Sequence, residues 1–270
     1  MESPNVEITA TINNVHRTLS VSPDESLLAA LRRASYFSVK AGCDDGTCGV
    51  CIVLVNGKPV RSCKIKAVDM NGAAITTLEG LSQDDNLHPL QAAFMDTGAI
   101  QCGFCTPAQI LSAKALLDHN LNPTDDEIRK ALNGVLCRCT GYVRGVDAVQ
   151  RAAAMLRGEK PAPYTHIVQK LPEEDEPLDL PEAFYRRDGS RNPLPPLVFT
   201  PRDMSQTQVV GKPEIKVDAR KLAEGRPVFT DDFRLEGMLY GALLTSPHAH
   251  ARIHRIDAGK ARTLPGVHAV

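Results

Sequence analysis

Eight cysteines carry most of the chemistry this sequence can offer, and all of them fall before residue 140. Cys43, Cys48 and Cys51 form a C-x4-C-x2-C run, with Cys63 coming after eleven further residues. Cys102 and Cys105 form a C-x2-C pair, and Cys137 and Cys139 a C-x-C pair thirty-one residues further on. Clustered thiolates bind soft metals, and the first spacing is that of a plant-type [2Fe–2S] centre. The glycines give the physical reason. Gly42, Gly46 and Gly49 interleave with the thiols, and without a Cβ each permits positive φ or a close backbone approach. Backbone N–H groups can then turn toward the negative charge of a cluster, while Cys63 closes the site from the next hairpin.

Zinc is the competing chemistry. Zinc ribbons prefer two C-x2-C knuckles, which four and then two residues in one loop fit poorly. The second group leaves the choice more open, because C-x2-C with C-x-C suits zinc as well. Helices expected to start near Thr106 and Gly141 would aim their positive ends at an anionic cluster, which favours a second [2Fe–2S] site there. The even cysteine count permits disulfides. The N-terminus "MESPNVEITATINN" lacks the basic start and apolar stretch of an export signal, so the expectation is a reducing, cytoplasmic setting.

The elements that must position these thiols read in two blocks. Val6 to Ile12 alternates, Asn13-Asn14 suits a two-residue turn, and Val15 to Val21 is the return strand. "SPDESLLAALRRA" predicts a helix with Ser22 as N-cap, Pro23 in the first position and Glu25 completing a capping box. "CIVLVNGKPVRSC" predicts a second hairpin turning at Asn56-Gly57, with Cys63 on its returning arm, and "AAITTLEGL" a further strand. This is an α+β unit. From His88 the period changes, and His88 to Thr97, Pro107 to His119, Asp125 to Asn133 and Val143 to Leu156 read as helices of a small bundle. The cysteine pairs of the second group lie at the junctions between these helices.

From 159 to 205 prolines and acids dominate without periodicity, as in an extended linker. Periodicity returns afterwards, with strands expected over Leu239 to Leu244 and Ala251 to Ile256. The 270 residues are 43% hydrophobic with a net charge of −1, so composition gives no global attraction to nucleic acid or membranes. Tryptophan is absent, which argues against a base-stacking surface, and no apolar run approaches the ~18 residues of a membrane span.

The segments "GCDDGTCGVC", "RSC", "QCGFCTP" and "LCRCTGY" resemble the four cysteine segments of the molybdenum hydroxylases, the family of xanthine dehydrogenases and aldehyde oxidoreductases. All eight cysteines match in order across residues 5 to 158. The resemblance implies a β-grasp [2Fe–2S] ferredoxin domain over 1–82 and a four-helix [2Fe–2S] domain over 83–158. It also implies a linker over 159–205 and the beginning of an a/b hammerhead domain over 206–270. The second cluster would lie beside a molybdopterin cofactor, with Gln101 and Cys139 as the matching positions. One departure is Ala108, where the family usually has glycine after "QCGFCTP".

The tail, from "VGKPEIKVDARKLAEGRPVFTDDF" to the closing "LPGVHAV", is similar to the opening of the family's molybdopterin-binding part. Joined to the iron–sulfur region with no flavin region between, it resembles flavin-free fused aldehyde oxidoreductases and some selenium-dependent xanthine dehydrogenases. Such enzymes place their catalytic glutamate well beyond position 270, so no catalytic residue is expected here. The chain is expected to be a fragment of a larger enzyme or a split subunit. Its implied partner is a molybdopterin-binding catalytic subunit or C-terminal region, with a flavin subunit or other acceptor downstream.

Two other patterns have plainer explanations. His248, His250 and His254 fit a strand and its approach better than a metal site, and the acidic run from Glu173 to Glu176 lacks the spaced ligands of a calcium loop. The sequence therefore points to the electron-transfer part of an enzyme hydroxylating an aldehyde or an N-heterocycle such as a purine. A stand-alone ferredoxin-like carrier and a zinc-binding interaction protein are the alternatives.

Overall fold

The computed structural model describes residues 4–82, 86–164, 214–226, 229–233 and 235–270. Strands β1 (Val6–Ile12) and β2 (Val15–Val21) pair antiparallel across Asn13 and Asn14, whose φ values of 51° and 65° are those of the expected tight turn. Strands β3 (Ile52–Val55) and β4 (Lys58–Arg61) pair the same way across Asn56 and Gly57. Strand β5 (Ala74–Thr76) lies between the hairpins, parallel to β1 and antiparallel to β3, giving the order β2-β1-β5-β3-β4. Cys63 sits just past β4, in a 3-10 turn over Ser62–Lys64 rather than on the strand itself.

Helix α1 (Leu27–Arg33) starts later than the capping-box pattern predicts. Glu25 does reach back to the Ser22 N–H at 3.3 Å, but its own carbonyl accepts from Ala67 N–H, and Leu27 N–H bonds to Ile65 O. These bonds hold the segment before α1 in an extended pairing, so the cap moves to Ser26, which accepts from Ala29 N–H. Tertiary pairing outweighs the local cap.

The helical block has the predicted periods: α2 (Pro89–Asp96), α3 (Thr106–Leu117), α4 (Asp125–Leu132) and α5 (Val143–Leu156). Helix α3 is buried on nearly every side, from Thr106 to Ala113, and so occupies the centre of the packing. Its Ala108 is fully buried in the first turn, and the helix is intact there. Strand β3 is apolar throughout because it feeds two cores. Ile52 and Leu54 join the cluster of Phe94, Ile110 and Leu111, whereas Val53 joins Leu27, Leu31 and Ile75 under the sheet. One strand thus cements the α+β unit to the helices.

The described residues up to Asp232 form one compact unit, and those of Phe233–Val270 a second. Within the first, α6 (Ala219–Ala223) buries Ala219, Leu222 and Ala223. The second unit holds α7 (Gly259–Arg262), and no strand among its described residues. The expected strands at 239–244 and 251–256 are therefore not formed. Strands need a hydrogen-bonded neighbour, and Leu243, Leu244 and Ile256 stay exposed with none. His248, His250 and His254 lie exposed in the same region. The Glu173–Glu176 run and most of the expected linker lie outside the described residues.

Candidate metal centres

The loop from Val39 to Cys51 carries three thiols between α1 and β3. Gly46 and Gly49 take φ of 78° and 69°, as the loop pattern requires. Gly42 serves differently: a Cβ there would lie 2.6 Å from Val50 Cγ2 and 3.2 Å from Cys48 Sγ. Asp45 accepts from the Thr47 N–H and hydroxyl, and Arg61 donates to Gly46 O at 3.0 Å, so the loop is pinned at both shoulders. The turn after β4 brings Cys63 Sγ within 3.4 Å of Cys51 Sγ.

The thiols of each group act on one another. Cys51 Sγ and Cys63 Sγ are 3.4 Å apart, and Cys43 and Cys48 each shift the other's titration. In the second group Cys139 helps raise the Cys102 thiol and Cys137 helps raise Cys105, both after burial. Among the described residues no three histidine, cysteine or acidic side chains close as ligands of one ion. Two thiols on each of two metals is the donor set of a four-cysteine [2Fe–2S] centre, and both groups fit it.

The surroundings treat the thiols unequally. Burial pushes the Cys63 thiol up to about 11, aided by its contact with Cys51, and burial also raises Cys48, Cys102 and Cys105. At Cys43 the backbone N–H and thiol of Cys48 lower the value. At Cys137 burial acts upward, but the Thr140 hydroxyl and backbone N–H groups around it prevail and lower the thiol. The thiols that burial raises are thus costly to ionise without metal. A bound cation would reverse that balance.

Helix ends set the second group. Cys105 is the residue before α3, and Cys137 to Thr140 lie in the turn before α5. Tyr142, at φ 68°, bends the chain into α5 and accepts the Cys137 N–H on its hydroxyl at 2.8 Å. No sequence cue singles out this tyrosine; a strained αL residue is visible only in the backbone. Gln101, Cys102 and Cys139 are exposed, whereas Cys105 is buried.

The two groups touch. Cys48 O accepts from Leu136 N–H at 2.8 Å, and a Cβ on Gly49 would lie 1.8 Å from Gly134 O. Phe104, between Cys102 and Cys105, would lie 3.3 Å from a Cβ on Gly42. Both glycines are therefore contact points between the cysteine loops.

Sequence patterns also give no sign of a buried ion pair beside the first loop. Lys40 Nζ lies 2.8 Å from Asp232 Oδ2, with both side chains buried, and 4.6 Å from the centre of the Phe229 ring. Burial draws the Lys40 ammonium below its usual value, and Asp232 holds it up in part. Arg32 adds a second cation, 3.4 Å from Asp232 Oδ1.

Three family models match the chain. The 2Fe-2S iron–sulfur cluster binding domain matches residues 10–77, and the [2Fe-2S] binding domain residues 77–150. The a/b hammerhead domain of aldehyde oxidase and xanthine dehydrogenase matches residues 224–270. The aldehyde oxidoreductase of Megalodesulfovibrio gigas is 39% identical over 267 residues, covering 96% of this chain and 26% of that protein. The nicotinate dehydrogenase small FeS subunit of Eubacterium barkeri is 45% identical over 148 residues, covering 54% of this chain and 94% of the relative. The solved aldehyde oxidoreductase of Desulfovibrio desulfuricans superposes with a TM-score of 0.64 at 36% identity, covering 86% of this chain and 22% of that one. The chain thus spans about a quarter of the aldehyde oxidoreductases it matches, and nearly the whole of the small FeS subunit. With two [2Fe–2S]-binding domains preceding a hammerhead match, the chain belongs to the molybdenum hydroxylase family of xanthine dehydrogenases and aldehyde oxidoreductases, and carries its iron–sulfur region.

Proposed function

We propose that this chain is the electron-transfer part of a molybdenum hydroxylase acting on an aldehyde or an N-heterocycle. Cys43, Cys48, Cys51 and Cys63 hold one [2Fe–2S] cluster, and Cys102, Cys105, Cys137 and Cys139 the other. When bound, the clusters supply single-electron relay between a molybdopterin centre, where a C–H carbon is hydroxylated with water as oxygen source, and an acceptor. The protein's own part is placement. The observation that carries this reading is the approach of Cys51 Sγ and Cys63 Sγ to 3.4 Å, with the bond from Leu136 N–H to Cys48 O joining the two cysteine groups.

Gln101 and Cys139 form the rim offered to the molybdopterin cofactor, which sits in a partner subunit or a further C-terminal region. The exposure of both residues beside the buried Cys105 supports that assignment. Electrons then leave through the Cys43 loop to a flavin subunit or another acceptor. Among the described residues no helix is long and apolar enough to cross a membrane, and a cytoplasmic site suits two thiol-held clusters.

Anaerobic isolation tests the reading. A brown protein with four irons, four acid-labile sulfides and two distinct EPR signals after reduction is expected. A colourless protein holding zinc would overturn it. Co-isolation of a molybdenum-containing subunit separates the enzyme from a free-standing ferredoxin-like carrier.

A further inference from the structure

The described residues 219–226 and 229–232 do more than trail the iron–sulfur region. Leu222 packs on Gly103, where a Cβ at φ 84° would come within 2.5 Å of its side chain. Gln91, fully buried on α2, donates from Nε2 to Ala223 O at 2.8 Å. Gly225 passes over Ser38, whose Cβ would lie 2.8 Å from a Cβ there, next to the Glu79 carboxylate. Phe229 meets Phe104 edge to face at 5.3 Å between ring centres. Asp232 ends the run between Lys40 and Arg32, and its Oδ2 also accepts from Phe229 N–H at 3.2 Å. Asp231 beside it reaches Arg32 Nη2 at 2.7 Å from the exposed side.

These contacts fall on both cysteine loops at once. Gly103 and Phe104 are the two residues between Cys102 and Cys105, and Lys40 lies three before Cys43. Lys40 and Arg32 are cations that burial would penalise heavily without a counter-charge, and Asp232 supplies that charge from 192 residues away. A receptor surface of two buried cations, an aromatic edge and a glycine saddle is complementary to an acidic, aromatic peptide. This chain carries such a peptide, "FTDD", in cis.

We propose that residues 219–226 and 229–232 act as an intramolecular clasp: Leu222 and Phe229 seat on the Cys102–Cys105 loop and Asp232 locks onto Lys40 and Arg32, fixing the two cysteine loops against each other. The occupant of this surface is the chain's own segment. Its anchor is a positioning residue, not a ligand.

Amide hydrogen exchange on the full chain tests this, and reports the contact whether or not iron and sulfide occupy the thiols. In Phe229→Ala and in Asp232→Asn, peptides covering 37–51 and 99–106 are expected to exchange at least about tenfold faster than in the parent, with α4 and α5 unchanged. Lys40→Met combined with Asp232→Asn removes both charges while Arg32 keeps Asp231, and is expected to restore much of the protection lost in Asp232→Asn. Faster exchange confined to 219–232, with both cysteine loops as protected as in the parent, would overturn the clasp. A double variant as unprotected as Asp232→Asn would overturn the counter-ion role. If Asp232→Asn does not fold, Phe229→Ala carries the loop test alone.

Discussion

Cys48 O and Leu136 N–H are joined by a hydrogen bond of 2.8 Å, and Leu136 is the residue before Cys137. One hydrogen bond and a few covalent bonds therefore connect a thiol residue of the first group to one of the second. The neighbouring Gly49 lets the chains approach this closely, because its φ of 69° and its contact with Gly134 O both exclude a Cβ. In Gly49→Ala the strained conformation and the forced separation together are expected to cost about 2 kcal/mol or more. Both EPR signals should persist while electron exchange between the centres slows, as freeze-quench reduction would show. Unchanged exchange kinetics would mean that this contact does not set the relay.

Removing one thiol tests whether the two groups act separately. Cys48→Ser leaves an oxygen ligand where the loop offers a thiolate, but every residue of the second group stays in place. One EPR-active centre should be lost and the other kept. Cys102→Ser should give the reciprocal loss. Because Ile52 and Leu54 of β3 share a core with α3, disappearance of both signals in either variant would indicate that the two domains fold as one cooperative unit.

Tyr142 offers a subtler perturbation. Its hydroxyl accepts the Cys137 N–H at 2.8 Å, and Thr140 Oγ1 stands 3.2 Å from Cys137 Sγ. In Tyr142→Phe the ring remains but the Cys137 N–H loses its acceptor, a loss of about 1–2 kcal/mol for a half-buried group. Hydrogen bonds around ligating sulfurs tune cluster potentials, so redox titration should move the second centre and leave the first where it was. A shift of the first centre alone would contradict the assignment of Cys137 to the second.

Local cues in the sequence suffice wherever a few adjacent residues decide the conformation. Asn13-Asn14 and Asn56-Gly57 adopt the positive φ their turns demand, and Thr106-Pro107 begins α3. The spacing puts Cys51 and Cys63 in one group, and their sulfurs lie 3.4 Å apart. Local cues fail where distant segments compete for the same backbone. Ser22 loses the α1 cap because residues 25 and 27 bond to 67 and 65. Gly42 does not bend the loop with a positive φ; it makes room for Val50 and Cys48 instead. Lys40 and Asp232 cannot be matched by pattern at all, since neither position carries periodicity and 192 residues separate them. The strand patterns at 239–244 and 251–256 are real in the letters, but a strand needs a neighbour to pair with.

Helix α4 provides the control that separates stability from cluster chemistry. Thr124 and Glu127 make a reciprocal capping box, with Glu127 N–H donating to Thr124 Oγ1 at 3.3 Å and Thr124 N–H to Glu127 Oε2 at 2.8 Å. Thr124→Ala removes one acceptor from the first turn and should cost about 1 kcal/mol. The cap lies at the far end of α4 from Gly134 and Val135, roughly 12 Å away along eight residues of helix. The melting temperature should therefore fall while both EPR signals and both potentials stay fixed. If the second centre's signal moved with the cap, α4 would be transmitting strain to the Cys137 turn. The potential shift in Tyr142→Phe would then reflect helix position rather than the lost hydrogen bond.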